Sequence, residues 1–570
     1  MSNTQLQRWL ERACENTRTA LQATPAEELA PYFAGELAFG TAGLRGIMTH
    51  GPAAINSYTV ARATQGLAQF ILEEGGQDAG VVIGYDSRTN SQAFAQITAT
   101  TLAANGIKAY LYDALRPTPM VSYAVRQLGA AAGVTITASH NPKEYNGYKV
   151  YGADGSQLAP EAANTVAALF AAVDIFDGVK SCDFDTAVAR GEIIILGADM
   201  DESYIAQVMA QQVDPTAITS ATSTEDFRLV YTPLHGSGTS VVPQVLRRAG
   251  LKNLFTVPSQ VQPDGQFPTV NSPNPETMDA FLHGIAVAEG NACDLVIATD
   301  PDADRVGCVA RGKDGQFVLI SGNQMGALLL DYIISAHNRR GDMPPRPFAV
   351  KTIVTTQLAQ TICQRHGVKL YDVLTGFKFI GEVILQNEVP DGGSYLFGFE
   401  ESYGYLKGTY VRDKDAVVAC LLIAEMAAHY KSRNMTLIDA LDALLDTYGH
   451  YHERTINISF PGADGVQRMS DLMDSLRNAP PASFAGRAVC RLRDYSTAEI
   501  TVLSSGEKQP TNLPKSNVLY FELEGECAVI VRPSGTEPKV KVYLMAKAEN
   551  KAAAEVVLDA LEREMGLYTV

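Results

Sequence analysis

Short apolar runs recur along the chain and are separated by stretches of about a dozen residues with helical periodicity. The first set begins with GVVIGY at Gly80 and continues, after a helical stretch over 91–104, with IKAYLYD and AAGVTIT. Continuous apolar strands that alternate with helices are typical of parallel βαβ units, in which helices cover both faces of the sheet. The pattern therefore predicts an α/β domain in this part of the chain.

The same pattern starts again at FRLVYT (227–232) and at FAVKTIV (348–354), whereas roughly the last hundred residues differ. There, SNVLYFEL, CAVIV and VKVYLMA predict three strands before a closing helix at 550–565. We expect three similar α/β domains with mixed or parallel sheets and a smaller C-terminal α+β domain. The predicted boundaries give a helical N-terminal segment and four domains: 1–38, 39–215, 216–330, 331–455 and 456–570.

The composition is that of an ordinary globular protein of several domains, with 570 residues, 46% hydrophobic and 19% charged. Its net charge of −17 argues against nucleic acid or an anionic membrane as the main partner, because both require clustered cations. The eight cysteines are scattered, and the N-terminal sequence lacks the pattern of a signal peptide. We therefore expect a cytoplasmic protein with small-molecule partners, either monomeric or dimeric.

Two polar motifs follow predicted strands, at the position where α/β sheets commonly bind ligands. In TASHNP (137–142), Ser139 lies beside His140 and offers a nucleophile beside a base, although an ordinary turn is the alternative. In DPDADR, Asp300, Asp302 and Asp304 repel one another unless a cation lies among them, so we expect Mg²⁺. A solvated acidic turn is the alternative for this second motif.

Two further motifs follow the later strands SYLF and CAVIV. Glu400, Glu401 and Ser402 of GFEES suit the hydroxyl groups of a polyol, since carboxylates accept hydrogen bonds from neighbouring hydroxyls. The segment RPSGTEPK (532–539) combines cations, hydroxyls and an approachable backbone, which is the chemistry of a phosphate clamp. Pro and Gly also make this segment a candidate for a plain turn.

Taken in order, TASHNP, DPDADR, GFEES and RPSGTEPK resemble the motifs of the α-D-phosphohexomutase superfamily, and the similarity extends from about Phe39 to the C-terminus. Within it, the chain is similar to the longer bacterial members that act on glucose phosphates. The resemblance implies four domains around a central cleft. It also implies reversible interconversion of α-D-glucose 1-phosphate and glucose 6-phosphate, through a phosphoserine enzyme and glucose 1,6-bisphosphate.

The resemblance also implies residue roles. Ser139 would carry the phosphoryl group and, with the three aspartates, bind one Mg²⁺ per chain. Residues implied in charge stabilisation or proton transfer, with the acid and base left open, are Arg45, His140, Lys149 and Lys414. Substrate contacts are implied for Arg305, Thr375, Gly376, Glu400 and Ser402. Binding of the non-reacting phosphate is implied for Arg532, Ser534, Gly535, Thr536 and Lys539.

Three alternatives stay open at this stage. The same machinery also serves phosphopentomutases and phosphomannomutases, so the sugar is undecided. A haloacid-dehalogenase-like sugar phosphatase would instead use Asp300 as nucleophile and Asp302 as acid, because a D-x-D motif after an apolar strand fits that chemistry as well. A non-catalytic sugar-phosphate binder is the third alternative, and the filled nucleophile, metal and clamp positions argue against it.

Overall fold

The computed structural model describes residues 3–40, 43–223, 227–462, 464–534 and 538–569. Three helices come first, and four β-sheets then follow one another along the chain. The N-terminal helices are α1 (Asn3–Arg12), α2 (Glu15–Ala23) and α3 (Ala26–Phe33). Trp9 of α1 is fully buried against Tyr58 and Phe176, so these helices pack on the segment that carries the first sheet.

Sheet I has six strands in the order β1-β5-β4-β2-β3-β6. They are β1 (Gly43–Ile47), β2 (Val81–Tyr85), β3 (Ala109–Tyr112), β4 (Ala132–Ile136), β5 (Tyr145–Gly152) and β6 (Ile193–Leu196). The pairs among β4, β2, β3 and β6 are parallel, whereas β5 is antiparallel to both β4 and β1. The associated helices are α4 (Ser57–Glu73), α5 (Ser91–Ala104), α6 (Thr118–Leu128), α7 (Pro160–Ala172) and α8 (Phe184–Ala189). The predicted α/β domain, including its helix over 91–104, is confirmed.

Sheet II has five strands in the order β11-β10-β9-β7-β8. They are β7 (Leu229–Thr232), β8 (Leu254–Thr256), β9 (Leu295–Thr299), β10 (Val306–Arg311) and β11 (Phe317–Ile320). β9, β7 and β8 are parallel, and β10 and β11 add an antiparallel edge. Its helices are α9 (Ala198–Met209), α10 (Ala217–Ser223), α11 (Val242–Arg248) and α12 (Leu282–Gly290), with 3₁₀ turns at Ser237–Ser240 and Met278–Phe281.

Sheet III has four strands in the order β13-β12-β14-β15, of which only the β14–β15 pair is antiparallel. They are β12 (Pro347–Thr352), β13 (Lys369–Val373), β14 (Ser394–Glu400) and β15 (Gly404–Leu406). Its helices are α13 (Gly322–Arg340), α14 (Leu358–His366), α15 (Phe377–Asn387), α16 (Ala416–Lys431) and α17 (Leu437–Tyr448). Within the described ranges, no helix combines the length and apolar character needed to cross a membrane.

Sheet IV is entirely antiparallel, in the order β16-β23-β22-β21-β18-β19-β20, with β17 paired to β18. Its strands are β16 (His450–Ser459), β17 (Ser483–Phe484), β18 (Arg487–Asp494), β19 (Glu499–Val502), β20 (Lys508–Pro510), β21 (Leu519–Leu523), β22 (Cys527–Pro533) and β23 (Lys539–Ala548). Helices α18 (Gly465–Asn478) and α19 (Lys551–Gly566) accompany it, followed by a 3₁₀ turn at Leu567–Thr569. The predicted α+β character of the C-terminal part is confirmed.

Each of the four polar motifs lies at a turn between two antiparallel neighbours. In the first three sheets, the turn joins a parallel strand to an antiparallel one: β4 to β5, β9 to β10 and β14 to β15. In sheet IV it joins β22 to β23. Each of the first three turns contains a non-glycine residue with left-handed backbone, namely Ser139 (φ 53°), Ala303 (φ 49°) and Tyr403 (φ 64°). Such conformations cost about 1–3 kcal/mol each and persist only where the surroundings hold them.

Two of the predicted domain boundaries cut through elements of the structure. Position 330 falls inside α13, which packs on β14 of sheet III, and position 455 falls inside β16 of sheet IV. Helix α13 precedes the sheet that it covers, so the polar segment after it is not a linker between domains. We therefore propose limits near residues 321 and 449, where α13 and β16 begin.

Buried apolar side chains join sheets III and IV. Ile353 and Leu374, which follow strands of sheet III, belong to one cluster with Tyr520 and Ile530 of sheet IV. Hydrogen bonding reinforces this contact, because the side-chain amide of Gln357 donates to the Tyr520 hydroxyl at 3.1 Å. The C-terminal sheet is therefore attached to the third by an apolar interface.

Glu453 of β16 adds a titratable group to this contact. Its carboxylate bonds to the side chains of Thr356 and Asn323, and burial raises its pKa from 4.5 to about 7. The folded protein then keeps this proton at a pH where the unfolded chain has lost it, so its contribution to stability falls as the pH rises from about 4.5 to about 7. We expect the free energy of unfolding of Glu453→Gln, relative to that of wild type, to rise by about 1–2 kcal/mol between pH 5 and pH 8, measured by urea unfolding. Glu507→Gln, at an exposed carboxylate, is the control, and equal pH dependence in both variants would contradict the assignment.

Candidate active site

Ser139 lies in the turn between β4 and β5 and is buried. Its backbone N–H donates to Thr137 Oγ1 at 2.8 Å, which fixes the residue inside the turn. Its hydroxyl donates to Asp300 Oδ2 at 2.7 Å and lies 3.3 Å from His140 Nδ1. We call the β4–β5 turn (137–144) the serine turn and the β9–β10 turn (300–305) the acidic turn. The serine turn is therefore in direct contact with the acidic turn.

The acidic turn presents its three carboxylates together. Asp300, Asp302 and Asp304 are buried, and one oxygen of each lies within 4.8 Å of the others. Asp300 Oδ1 accepts the backbone N–H groups of Asp304 (3.2 Å) and Arg305 (3.0 Å), which closes the turn. The Oδ1 atoms of Asp302 and Asp304 are buried without a hydrogen-bond partner in the described structure. Orphaned carboxylate oxygens at this spacing fit a hard divalent cation such as Mg²⁺.

Two lysines partly offset the charge of the acidic turn. Lys149 of β5 donates Nζ to Asp302 (2.7 Å) and Asp304 (3.2 Å), and Lys414 Nζ lies 3.3 Å from Asp304. The Thr118 hydroxyl adds a further bond to Asp302 Oδ2 at 3.0 Å. The two lysines come from sheet I and from the loop before α16, so three segments of the chain meet at these carboxylates.

Burial and charge act differently on the members of this cluster. Burial raises the pKa of Asp300 well above its ordinary value, and the neighbouring Asp302 and Asp304 carboxylates raise it further. At Asp304, burial is outweighed by Lys149, Lys414 and Arg305, which lower the pKa of that carboxyl. Opposing carboxylates likewise outweigh burial at Lys414 and raise its pKa. The site thus holds ionised groups of both signs out of contact with bulk water.

The motif HGSG (235–238) packs against the acidic turn and is hydrogen-bonded to it. Ser237 donates both its N–H (2.8 Å) and its hydroxyl (2.9 Å) to the carbonyl of Pro301. A Cβ at Gly236 would lie 2.4 Å from Pro301 Cα, so only glycine permits this close approach. His235 bonds through Nε2 to Thr269 Oγ1 at 2.9 Å, away from the carboxylates. This histidine has a structural role.

The third turn, with the GFEES motif, is joined to the acidic turn by backbone pairing. Arg305 and Gly404 form an isolated antiparallel bridge, and Val306 N donates to Tyr403 O at 3.1 Å. Glu400 is buried, and its Oε1 accepts the N–H of Gly376 at 2.9 Å. The predicted LTGFKFI loop and the GFEES turn therefore meet at Glu400.

Ser402 and Thr375 lie at the same place. Ser402 is in the turn itself and Thr375 is in the loop beside Gly376, and both are half-buried. Burial and the neighbouring Glu400 raise the pKa of Glu401 to about 7. Glu401 lies 3.5 Å from the hydroxyl of Thr355.

The fourth turn lies between β22 and β23. Arg532 lies near the end of β22, opposite Lys541 of β23, and Ser534 N donates to Lys539 O at 2.8 Å. The predicted phosphate-binding residues Gly535 and Thr536 lie outside the described residues. Partial desolvation lowers the pKa of Lys541, against the opposing effect of the Glu276 and Glu401 carboxylates. The sequence did not single out this lysine of sheet IV, whose charge is felt together with those of groups from sheets II and III.

Two arginines complete the cationic surroundings. Arg45, on β1, is exposed and donates to Asn141 Oδ1 of the serine turn at 3.2 Å. Arg305 donates to Oε1 of Glu276 at 2.6 Å, and Glu276 lies in a loop of sheet II. Burial lowers the pKa of His140 well below its ordinary value, and the positive charges of both arginines lower it further, so its imidazole is neutral.

The loop before α16 contains a contact that the sequence did not reveal. Asp413 Oδ1 accepts Lys414 Nζ at 2.9 Å, and Asp413 Oδ2 accepts the Tyr151 hydroxyl (3.0 Å) and Gln157 Nε2 (3.2 Å). Lys414 is therefore held between Asp413 and Asp304. The alternation of charge in RDKD was the signal, but only the fold shows that Tyr151 and Gln157 of sheet I lie beside it.

Four family models match successive parts of the chain. Those described as phosphoglucomutase/phosphomannomutase alpha/beta/alpha domains I, II and III match residues 36–175, 202–313 and 321–448. The model of the C-terminal domain of the same family matches residues 504–563. Together they span most of the chain and contain all four turns.

Curated relatives agree with this match. The chain is 36% identical to the phosphoglucomutase of Staphylococcus saprophyticus subsp. saprophyticus over 543 residues, covering 95% of this chain and 96% of the relative. It is 38% identical to the phosphoglucomutase of Staphylococcus haemolyticus over 519 residues, covering 91% and 92%. Among solved structures, the open form of the Paramecium phosphoglucomutase pp63/parafusin shares the fold, with a TM-score of 0.68 and 16% identity over 94% of this chain and 95% of that chain.

The orphaned carboxylate oxygens generate a test of metal binding. We expect Mg²⁺ to raise the melting temperature of the wild-type protein, because the ion binds only the folded acidic turn. Asp302→Asn removes one charged ligand and is expected to weaken Mg²⁺ binding at least about tenfold in isothermal titration calorimetry. Asp314→Asn, on an exposed turn of sheet II, is the matched control. Unchanged affinity in Asp302→Asn would exclude the acidic turn as the metal site.

Proposed function

The chain belongs to the phosphoglucomutase/phosphomannomutase family, and we propose that it interconverts α-D-glucose 1-phosphate and glucose 6-phosphate. Ser139 carries the phosphoryl group between the two positions of the sugar. The observation that carries this proposal is the 2.7 Å contact between the Ser139 hydroxyl and Asp300, at the meeting point of two sheets. Relatives named phosphoglucomutase, at 36–38% identity over nearly the whole chain, support the choice of substrate.

The three aspartates, together with an oxygen of the phosphoryl group on Ser139, would hold one Mg²⁺ per chain. When bound, Mg²⁺ supplies positive charge that stabilises the transferring phosphoryl group. The fit rests on the buried Oδ1 atoms of Asp302 and Asp304, which no protein group satisfies in the described structure.

The chemical step uses the serine turn, the acidic turn and the lysines beside them. The bond between phosphorus and Ser139 Oγ breaks as a sugar hydroxyl attacks, and the hydroxyl proton passes to the neutral imidazole of His140, whereas Lys414, which its carboxylate neighbours keep protonated, is suited to the role of the acid. Lys149 and Arg305 offset the charge on the transferring group. The resulting glucose 1,6-bisphosphate turns end over end, and Ser139 then recovers the other phosphoryl group.

The remaining residues position the sugar. Glu400 and Ser402 accept or donate hydrogen bonds at the sugar hydroxyls, together with the backbone at Thr375 and Gly376. Arg45 contributes positive charge at the mouth of the serine turn. The phosphate that is not reacting is bound by the fourth turn, through Arg532, Ser534, Gly535, Thr536 and Lys539. Glucose 1,6-bisphosphate is accordingly both the intermediate and the activator.

The alternative of a phosphatase with Asp300 as nucleophile fits the contacts less well. Asp300 Oδ1 is held by two backbone N–H groups, and its Oδ2 accepts the Ser139 hydroxyl. Both oxygens thus already accept hydrogen bonds in this conformation, which makes them weaker nucleophiles towards a substrate phosphorus atom. A serine phosphoryl carrier agrees with these hydrogen bonds and with the family.

Ser139→Ala tests the phosphoryl carrier directly. We expect peptide mass spectrometry to find phosphoserine at residue 139 after incubation with glucose 1,6-bisphosphate. Ser139→Ala is expected to lose at least about a thousandfold in kcat, because the covalent acceptor is gone. Ser156→Ala is the matched control, since its buried hydroxyl has no hydrogen-bond partner in the described structure. Mutase activity that survives in Ser139→Ala would refute the mechanism.

The choice of sugar requires a separate comparison. We expect kcat/KM for α-D-glucose 1-phosphate to exceed the values for mannose 1-phosphate and ribose 1-phosphate, measured with Mg²⁺ and catalytic amounts of the cognate bisphosphates. A clear preference for ribose or mannose phosphate would replace the glucose assignment with phosphopentomutase or phosphomannomutase activity on the same machinery.

A further inference from the structure

Arg88 lies in the polar turn after β2, and its side chain is completely buried. Its Nη2 donates to the carbonyl oxygens of Ser139 and Asn141, both at 2.5 Å. Its Nη1 donates to the carbonyl oxygens of Pro142 (2.9 Å) and Tyr145 (3.0 Å). One guanidinium therefore holds four backbone carbonyls of the serine turn, from Ser139 to the first residue of β5.

The Arg88 side chain is itself fixed from two sides. Asp86 Oδ2 lies 3.4 Å from Arg88 Nε, and Asp86 Oδ1 accepts the backbone N–H of Arg88 at 2.9 Å. The guanidinium lies over the ring of Phe267, 5.1 Å from its centroid. A Cβ at Gly265 would lie 2.4 Å from Thr89 N, so the loop of sheet II closes tightly over this turn. Arg88 thus lies where the segments of sheets I and II meet.

We propose that Arg88 is the positioning residue of the phosphoryl-carrying serine and keeps its hydroxyl directed at Asp300. This inference rests on the proposed role of Ser139. Left-handed backbone at a non-glycine residue is strained and relaxes unless neighbouring groups hold it. Relaxation would swing the Ser139 side chain away from the acidic turn, and both phosphoryl transfers begin or end at this one oxygen.

The number of bonds explains why the residue is an arginine. A guanidinium is planar and presents five N–H donors in a fixed arrangement, so it reaches four carbonyls from one position. A lysine at 88 keeps the positive charge but has at most three donors on a single atom. Arg88→Lys therefore loosens the turn without removing charge from the site.

Arg62 provides a matched control in the same part of the chain. It is also buried, donates to the carbonyl oxygens of Val173 (2.7 Å) and Ala171 (3.0 Å), and lies over the ring of Phe170. These contacts lie outside the four turns. Arg62→Lys therefore reports the general cost of replacing a buried arginine that binds backbone carbonyls.

The experiment compares both variants with wild type, using α-D-glucose 1-phosphate, Mg²⁺ and catalytic glucose 1,6-bisphosphate. For Arg88→Lys we expect kcat to fall about ten- to hundredfold, as is typical when a reacting atom is misplaced by about 1 Å. KM is expected to stay within about twofold, because the fourth turn is untouched. Hydrogen exchange of the amides in 139–146 should accelerate in Arg88→Lys and not in Arg62→Lys.

The outcomes separate this inference from the proposed function. Three results would each overturn it. They are unchanged kcat and hydrogen exchange in Arg88→Lys, an equal loss of kcat in Arg88→Lys and Arg62→Lys, and an effect of Arg88→Lys on KM alone. If wild type fails to convert sugar phosphates, the mutase proposal fails, while the exchange measurement still decides whether Arg88 holds the turn. If Arg88→Lys does not fold, Asp86→Asn replaces it, since this change neutralises the carboxylate beside Arg88 Nε. We then expect kcat to fall by less than in Arg88→Lys and KM to stay nearly unchanged.

Discussion

Mutual repulsion among three buried carboxylates determines which other segments of the chain must come to the acidic turn. Asp300, Asp302 and Asp304 cannot remain ionised together in a buried turn unless positive charge is brought to them. The chain supplies part of that charge from other segments, through Lys149 and Lys414. The Oδ1 atoms of Asp302 and Asp304 still have no hydrogen-bond partner in the described structure, which fits a divalent ion. The acidic turn thus binds side chains from separate sheets and leaves two carboxylate oxygens available to a divalent ion.

The four turns also share a structural origin. In the first three sheets, the turn joins the end of a parallel strand to the start of its antiparallel neighbour, so it lies at the strand ends. Left-handed residues at Ser139, Ala303 and Tyr403 make these turns tight. Although the net charge is −17, four cations lie beside the first two turns, namely Arg45, Lys149, Arg305 and Lys414. They give this place a local positive charge that suits the proposed anionic substrate.

Much of this arrangement could be predicted from the sequence, because local chemistry carries the signal. The apolar strands before Ser139 and Asp300, and the carboxylates at alternate positions, are visible as short motifs. The sequence predicted mixed or parallel sheets but did not locate the antiparallel strands β5 and β10, because the alternation of strands and helices indicates only the βαβ units. Arg88 was likewise visible only as part of a polar turn, because its four carbonyl partners lie more than fifty residues away along the chain.

In the proposed mechanism, a phosphorylated serine and a metal-binding acidic turn act together on a sugar held by the fourth turn. A crystal structure of the phosphorylated protein with Mg²⁺ and glucose 1-phosphate is the decisive measurement. We expect a phosphoryl group on Ser139 Oγ, the ion among Asp300, Asp302 and Asp304, and the sugar phosphate on the 532–539 turn. An ion bound elsewhere, an unmodified Ser139, or a sugar phosphate remote from both turns would contradict it.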